Sequence, residues 1–262
     1  LDSKIESLSK FNVFNLGSAH GFGPVQYSLV YKNFAKQYPH KVLIITFLPS
    51  NDFRDNDPEE MYHPTNNKRY RPYYKLIGKN KYDIQYPPNA IKTDDIYFQI
   101  KEQEREIINI KKFIKENLKR YSYFIRVLSS IKYLQKVDLK TEFRHEGFFN
   151  HTQDQVNAAI YFIEKIIKDS LKYDVEKVVL FAIPIENEAK YYFNKKPALP
   201  NWITKFKNLE KKYKSFKFIN GLEFIPNNTN EIEKLYFTCD SHWSKHGHSW
   251  AGKIISEEIK SF

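Results

Sequence analysis

Lys41–Leu48, KVLIITFL, is an almost unbroken apolar run. A strand with one face in water would alternate apolar and polar residues. A continuous run of this length marks a strand covered on both faces, as in a parallel sheet flanked by helices. A second run of the same kind, KVVLFAIP, spans Lys177–Pro184. Helical periods surround both. Pro24 opens a pattern with Val25, Leu29, Val30, Phe34 and Tyr38 at helix spacing. Thr152 caps a second pattern, with Val156, Ala159, Ile160, Ile163, Ile167 and Leu171 on one face, that runs to about Lys172. Trp202–Tyr213 reads as another helix and Phe216–Ile219 as a short strand. Ser244 is placed to cap a terminal helix reaching about Lys260. Ahead of all these, Phe11–Leu16 (FNVFNL) reads as a short buried strand running into a loop, Gly17–Pro24, with three glycines. Apolar strands alternating with helices predict an α/β fold built on a parallel sheet.

The middle of the chain follows a different pattern. Asn56–Asp95 is polar, rich in Pro, Asn and Tyr, and has no clear period. Ile96–Gln135 carries two helical stripes that meet near Arg120–Ser122. The expected organisation is one domain over residues 1–262 with a largely helical insertion at about 56–150.

Composition narrows the function classes. The formal charge is +11, but the basic residues are spread along the whole chain among Asp and Glu. Nucleic-acid binding would concentrate them on one face with interleaved aromatics, so no nucleic-acid partner is expected. The one cysteine, Cys239, excludes an intrachain disulfide and a cysteine-based zinc cage. No segment approaches the roughly 18 consecutive apolar residues of a membrane span.

In a parallel sheet, ligands sit at the carboxyl ends of the strands. The loops at those ends therefore carry the candidate chemistry. Asp240 and His242, in CDSHWSKHGH (Cys239–His248), lie two residues apart in an extended stretch and share one side. A carboxylate so placed orients an imidazole and stabilises its charged form. The same loop read blandly is a helix cap with a solvated histidine. Asp240, His242, His246 and His248 also offer metal-ligand types. However, His246 and His248 diverge once Ser244 starts a helix, no second cluster completes a shell, and no metal is assigned. Asn51-Asp52 follows the KVLIITFL strand. An Asn amide there can donate to a developing oxyanion, or simply close a turn. Glycines at 17, 21 and 23 let the backbone approach a ligand and expose an N–H, though their spacing is not a dinucleotide fingerprint.

Taken in order, NLGSAHGFGPVQ, LIITFLPSNDFRDN and YFTCDSHWSKHGHSWA resemble the blocks of the SGNH (GDSL-type) hydrolase and acyltransferase family. RYRPYYKL followed by YSYFIRVLSSIKYL is similar to an insertion found in one branch of it. The resemblance implies a flavodoxin-like three-layer sandwich. It also implies acyl-ester chemistry without a cofactor, with His242 as base, Asp240 as its orienting acid, and Gly21 and Asn51 as oxyanion donors. A glycan acyl ester is an implied substrate, with a bacterial envelope or periplasmic setting. Tyr62, Tyr70, Tyr73 and Trp243 are candidate sugar-stacking aromatics.

One block of the family is absent. Leu1–Ser9 (LDSKIESLS) resembles the helix that follows the Gly-Asp-Ser block, so the nucleophilic serine and its strand are expected upstream of Leu1. Ser3 is a weaker candidate, since no strand precedes it. A nucleophile-less, carbohydrate-binding relative is the alternative. Membrane anchoring and oligomeric state leave no readable mark.

Overall fold

The computed structural model describes residues 2–9, 12–17, 21–58, 71–86, 146–238 and 240–261. The described residues belong to one compact unit, formed by the chain on either side of 87–144. The helices expected over Ile96–Gln135 lie outside the described residues, as do Tyr62, Tyr70 and Cys239.

The centre is a parallel sheet of three strands among the described residues: β1 (Val42–Phe47), β4 (Lys177–Ala182) and β5 (Phe216–Asn220), in the order β1-β4-β5. Val42 pairs with Lys177 and Phe47 with Ala182, while Val178 pairs with Phe216 and Ala182 with Asn220. The two apolar runs thus lie side by side. Their alternate residues feed two separate cores. Ile45, Phe47, Val178, Leu180 and Ala182 join one, and Val179 and Phe181 join the other. The fold is therefore α/β, with a parallel sheet and packing on both faces.

On the first face lie α2 (Pro24–Asn33), α3 (Pro49–Asp55), α4 (Glu146–Phe149), α5 (Gln153–Ser170) and α7 (Asn201–Lys212). On the second lie α1 (Asp2–Ser9), α6 (Glu186–Lys195), α8 (Thr229–Lys234) and α9 (Lys245–Ser261). The helix starts follow their residue chemistry. Pro24 and Pro49 occupy the first turns of α2 and α3, where the missing N–H costs nothing. Thr152 accepts from Gln155 N while the Gln155 side chain accepts from Thr152 N, a complete capping box. The Ser244 hydroxyl accepts from His246 N and Gly247 N, so it caps α9 as its position predicts.

Two segments depart from the sequence reading. Residues 12–17 form no strand, and Phe14 is 72% exposed. Strand formation needs a ladder, and here side chains of α1 and the segment itself take the polar groups instead. Val13 N donates to Glu6, Asn15 Nδ2 to Asp2, and Gly17 N to Asn15 Oδ1. Within the interval read as patternless, β2 (Tyr73–Gly78) and β3 (Lys81–Gln85) form an antiparallel hairpin with Asn80 left-handed (φ 55°) at its turn. Tyr74 and Tyr82 of this hairpin pack with Val25, Ala158 and Phe162 of α2 and α5.

A second hairpin, β6 (Tyr236–Phe237) with β7 (Asp240–Trp243), leads into α9. Gly247 lets that helix approach the preceding turn. A Cβ there would stand 2.1 Å from the Leu235 carbonyl oxygen. Gly247→Ala is therefore expected to destabilise the protein by about 3 kcal/mol in denaturant unfolding, the upper range of overpacking costs. A loss under ~0.5 kcal/mol would show that the helix and turn separate easily.

Candidate active site at the carboxyl ends of the strands

The chain leaves β1 through Leu48 and turns directly into α3. That turn is held by a buried acid. The Asp52 carboxylate accepts from Leu48 N at 2.7 Å and from the Tyr27 hydroxyl at 2.6 Å. Burial first, and the adjacent Asp52 second, push the Tyr27 phenol well above its ordinary pKa, so it stays a donor. Asp52 is thus consumed in fixing α3. Its neighbour Asn51 is half-buried on the first turn of α3, and its side chain makes no hydrogen bond to another described residue. Among the described residues, nothing competes with a ligand for that amide.

The glycine loop is stitched to the same helix. Gly21 adopts φ 76°, the left-handed region that favours glycine. Gly23 precedes α2 and lies so close to α3 that a Cβ would be 2.6 Å from the Asp52 carbonyl and 2.7 Å from Asn56 Oδ1. Asn56 Oδ1 accepts from Val25 N at 2.8 Å, and its Nδ2 donates to Gln26 Oε1. Gln26 in turn accepts from Gly23 N at 3.0 Å and donates to Pro72 O at 2.6 Å. Asn56 and Gln26 are both buried, and sequence reading missed them as a pair. Their partners lie some thirty residues apart, so only the residue types in GFGPVQ and NDFRDN hinted at them. The structure therefore brings the Gly21 loop and the Asn51 turn together.

His242 arrives separately. Positions 240 and 242 lie two apart on β7. His242 is exposed, while the side chain of Asp240 lies outside the described set. The hairpin is anchored at the carboxyl end of β4. Tyr236, which pairs with Trp243, donates its hydroxyl to Pro184 O at 2.8 Å, and Trp243 packs edge-on to Phe181 and Trp250. His242 is thus carried by a hairpin anchored just beyond the end of β4, the strand that pairs with β1. Ser3 is exposed on α1, the helix that packs against α9. His246 and His248 are both exposed. Tyr73 is fully buried and Trp243 is 9% exposed, so both serve the core and neither is open to stack on a sugar.

Two further groups lie at the same junction. His151, ahead of α5, packs tilted against Phe53 of α3, with ring centroids 4.1 Å apart. Burial pushes its imidazole down to about 4, against a hydrogen bond with the Gly147 backbone that raises it. Glu188, in the first turn of α6, is completely buried, and burial pushes its carboxyl up to about 8. Nothing in the sequence marked it: Ile185 has no side-chain oxygen to complete a capping box with it.

Neither a protein-family model, nor a curated protein, nor a solved structure matches the chain. The geometry therefore stands without a relative to lean on. Its dependence on Asp52 can be tested. Asp52→Ala orphans Leu48 N–H and the Tyr27 hydroxyl, and should cost on the order of 2–4 kcal/mol in chemical denaturation. Tyr27→Phe, which removes one partner only, should cost about 1 kcal/mol. Equal losses for the two variants would contradict the assignment of both bonds to one carboxylate.

Proposed function

We propose that this chain carries the base-and-oxyanion half of an SGNH-type serine ester hydrolase or O-acyltransferase, on the flavodoxin-like sandwich of that family. The observation that carries the reading is the junction of the Gly21 loop with the Asn51 turn at the carboxyl end of β1. There the fold-holding bonds are taken by Asp52 and Asn56, while Asn51 makes no side-chain hydrogen bond to another described residue and Gly21 of the adjoining loop is left-handed.

In this reading a serine from a segment upstream of Leu1 attacks an acyl-ester carbonyl. His242 takes the hydroxyl proton as the C–O bond forms. Asp240 holds the imidazole and stabilises its charge. Negative charge builds on the former carbonyl oxygen, where Gly21 N–H and Asn51 Nδ2 donate to it. The intermediate collapses, the ester C–O bond breaks, and His242 returns the proton to the leaving alcohol. A water or a sugar hydroxyl then attacks the acyl-serine with His242 again as base, and the choice of acceptor separates hydrolase from transferase. An O-acyl group on a polysaccharide is the proposed substrate class. The steps need no cofactor.

Turnover of an aryl acetate and of an O-acetylated polysaccharide by the full-length protein tests this. His242→Ala should lower turnover about 10²–10⁴-fold with the fold intact. Asn51→Ala should lower it about 10²–10³-fold. His246→Ala should leave it within roughly twofold, since an exposed group outside the proton path carries none of these steps. An equal loss in His246→Ala, or loss of turnover to a chelator, would support metal-assisted hydrolysis. A wild type that binds glycans without turning over either ester would support a binding domain.

A further inference from the structure

Glu188 is an acid placed where a charge is costly. Its Oε2 accepts from Ile185 N at 2.9 Å, which folds the side chain back over the end of β4. Its Oε1 is buried and has no hydrogen-bond partner among the described residues. That oxygen points at Gly147 of α4. A Cβ on Gly147 would lie 3.3 Å from Glu188 Oε1 and 2.8 Å from Ser50 Cβ. Gly147 is thus the spacer between the Glu188 carboxyl and the turn that presents Asn51. On its other flank stands Tyr236, whose phenol is pushed upward by burial and also by the charge that Glu188 and Glu186 would bear. Tyr236 is the ladder partner of Trp243, next in sequence to His242.

We propose that Glu188 is the positioning residue of this site: its buried carboxyl group packs the Asn51 turn against the hairpin that carries His242. The inference rests on the functional reading only in taking those two residues as the working parts. The surroundings favour the neutral acid. Tyr236 of β6 stands close enough to feel the charge of both Glu188 and Glu186, and supplies no positive charge. His151, bonded to the Gly147 backbone, is held neutral by burial. Of the two lysines of α6, Lys190 is committed to Glu186 and to Glu233 of α8, each at 2.7 Å, and Lys195 lies in the last turn, at the far end of the helix from Glu188. An ionised Glu188 would have to draw water into the seam between α3, α4 and β6. Opening that seam moves Asn51 and His242 apart together.

The sign of the pH effect follows. The buried carboxyl ionises at about 8 and an exposed one at 4.5, so between those values the opened form binds fewer protons. Closure is fully stable below 4.5, weakens as pH rises towards 8, and levels off above. Amide hydrogen exchange of residues 49–55 and 236–243, corrected for the chemical rate, reads this in the full-length protein. In the wild type, protection of both segments should fall together, by up to ~10-fold per pH unit between pH 5 and 8. Glu188→Gln keeps the shape and cannot ionise, so its profile should be flat. Glu188→Ala opens a cavity and should lower protection of both segments at every pH. A Gln variant with the wild-type slope, or a slope in only one segment, would overturn the proposal. Ester turnover is read on the same samples. If the wild type shows none while both segments respond together, the acyl-transfer reading fails and the coupling stands. If turnover at pH 6 survives Glu188→Ala as fully as Glu188→Gln, the positioning role fails.

Discussion

The parallel pairing of β1 with β4 places every loop of the candidate site. Val42–Phe47 and Lys177–Ala182 are apolar along their length and covered on both sides, so neither can shift register without exposing core residues. Parallel pairing also forces both strands to end on the same edge of the sheet. The Leu48 turn and the Pro184 turn are therefore neighbours whatever else the chain does. The polar chemistry inherits its location from a purely apolar constraint.

On that edge, polar residues divide into those that hold and those that are held free. Asp52, Asn56 and Gln26 spend their hydrogen-bonding capacity on backbone groups of the loops. Each is buried, and each would be costly to leave unpaired. Asn51 sits among such groups and holds none of the described loops in place. A residue that a rigid network positions but does not use is what a binding or catalytic role requires. The Asn-Asp pair, adjacent in sequence, thus splits: Asp52 holds the turn, and Asn51 is carried by it.

How much of this was legible before the structure varies with the physics. KVLIITFL and KVVLFAIP announced their strands because burial on both faces leaves a local imprint. Thr152 and Ser244 announced their helices because capping is also local. FNVFNL misled. Its apolar content suited a strand, but a strand is a pairing, and Asn15, Asp2 and Glu6 captured its polar groups first. The Tyr73–Gln85 hairpin was hidden for the opposite reason. Its buried residues on β2 are the adjacent pair Tyr73 and Tyr74, so no alternating stripe appears. Glu188 could not be read at all. An acid at the start of a helix is ordinary in sequence, and only its complete burial in the fold makes it unusual.

The central claim is that the Gly21 loop, Asn51 and His242 surround one reacting carbon. A crystal structure of the full-length protein after treatment with a fluorophosphonate tests it most directly, because the adduct mimics the tetrahedral intermediate. The account predicts a phosphonylated serine with its phosphoryl oxygen within about 2.7–3.1 Å of Gly21 N and Asn51 Nδ2. The His242 ring should lie beside the seryl oxygen. An adduct that forms elsewhere, or one whose oxygen faces neither donor, would contradict the account.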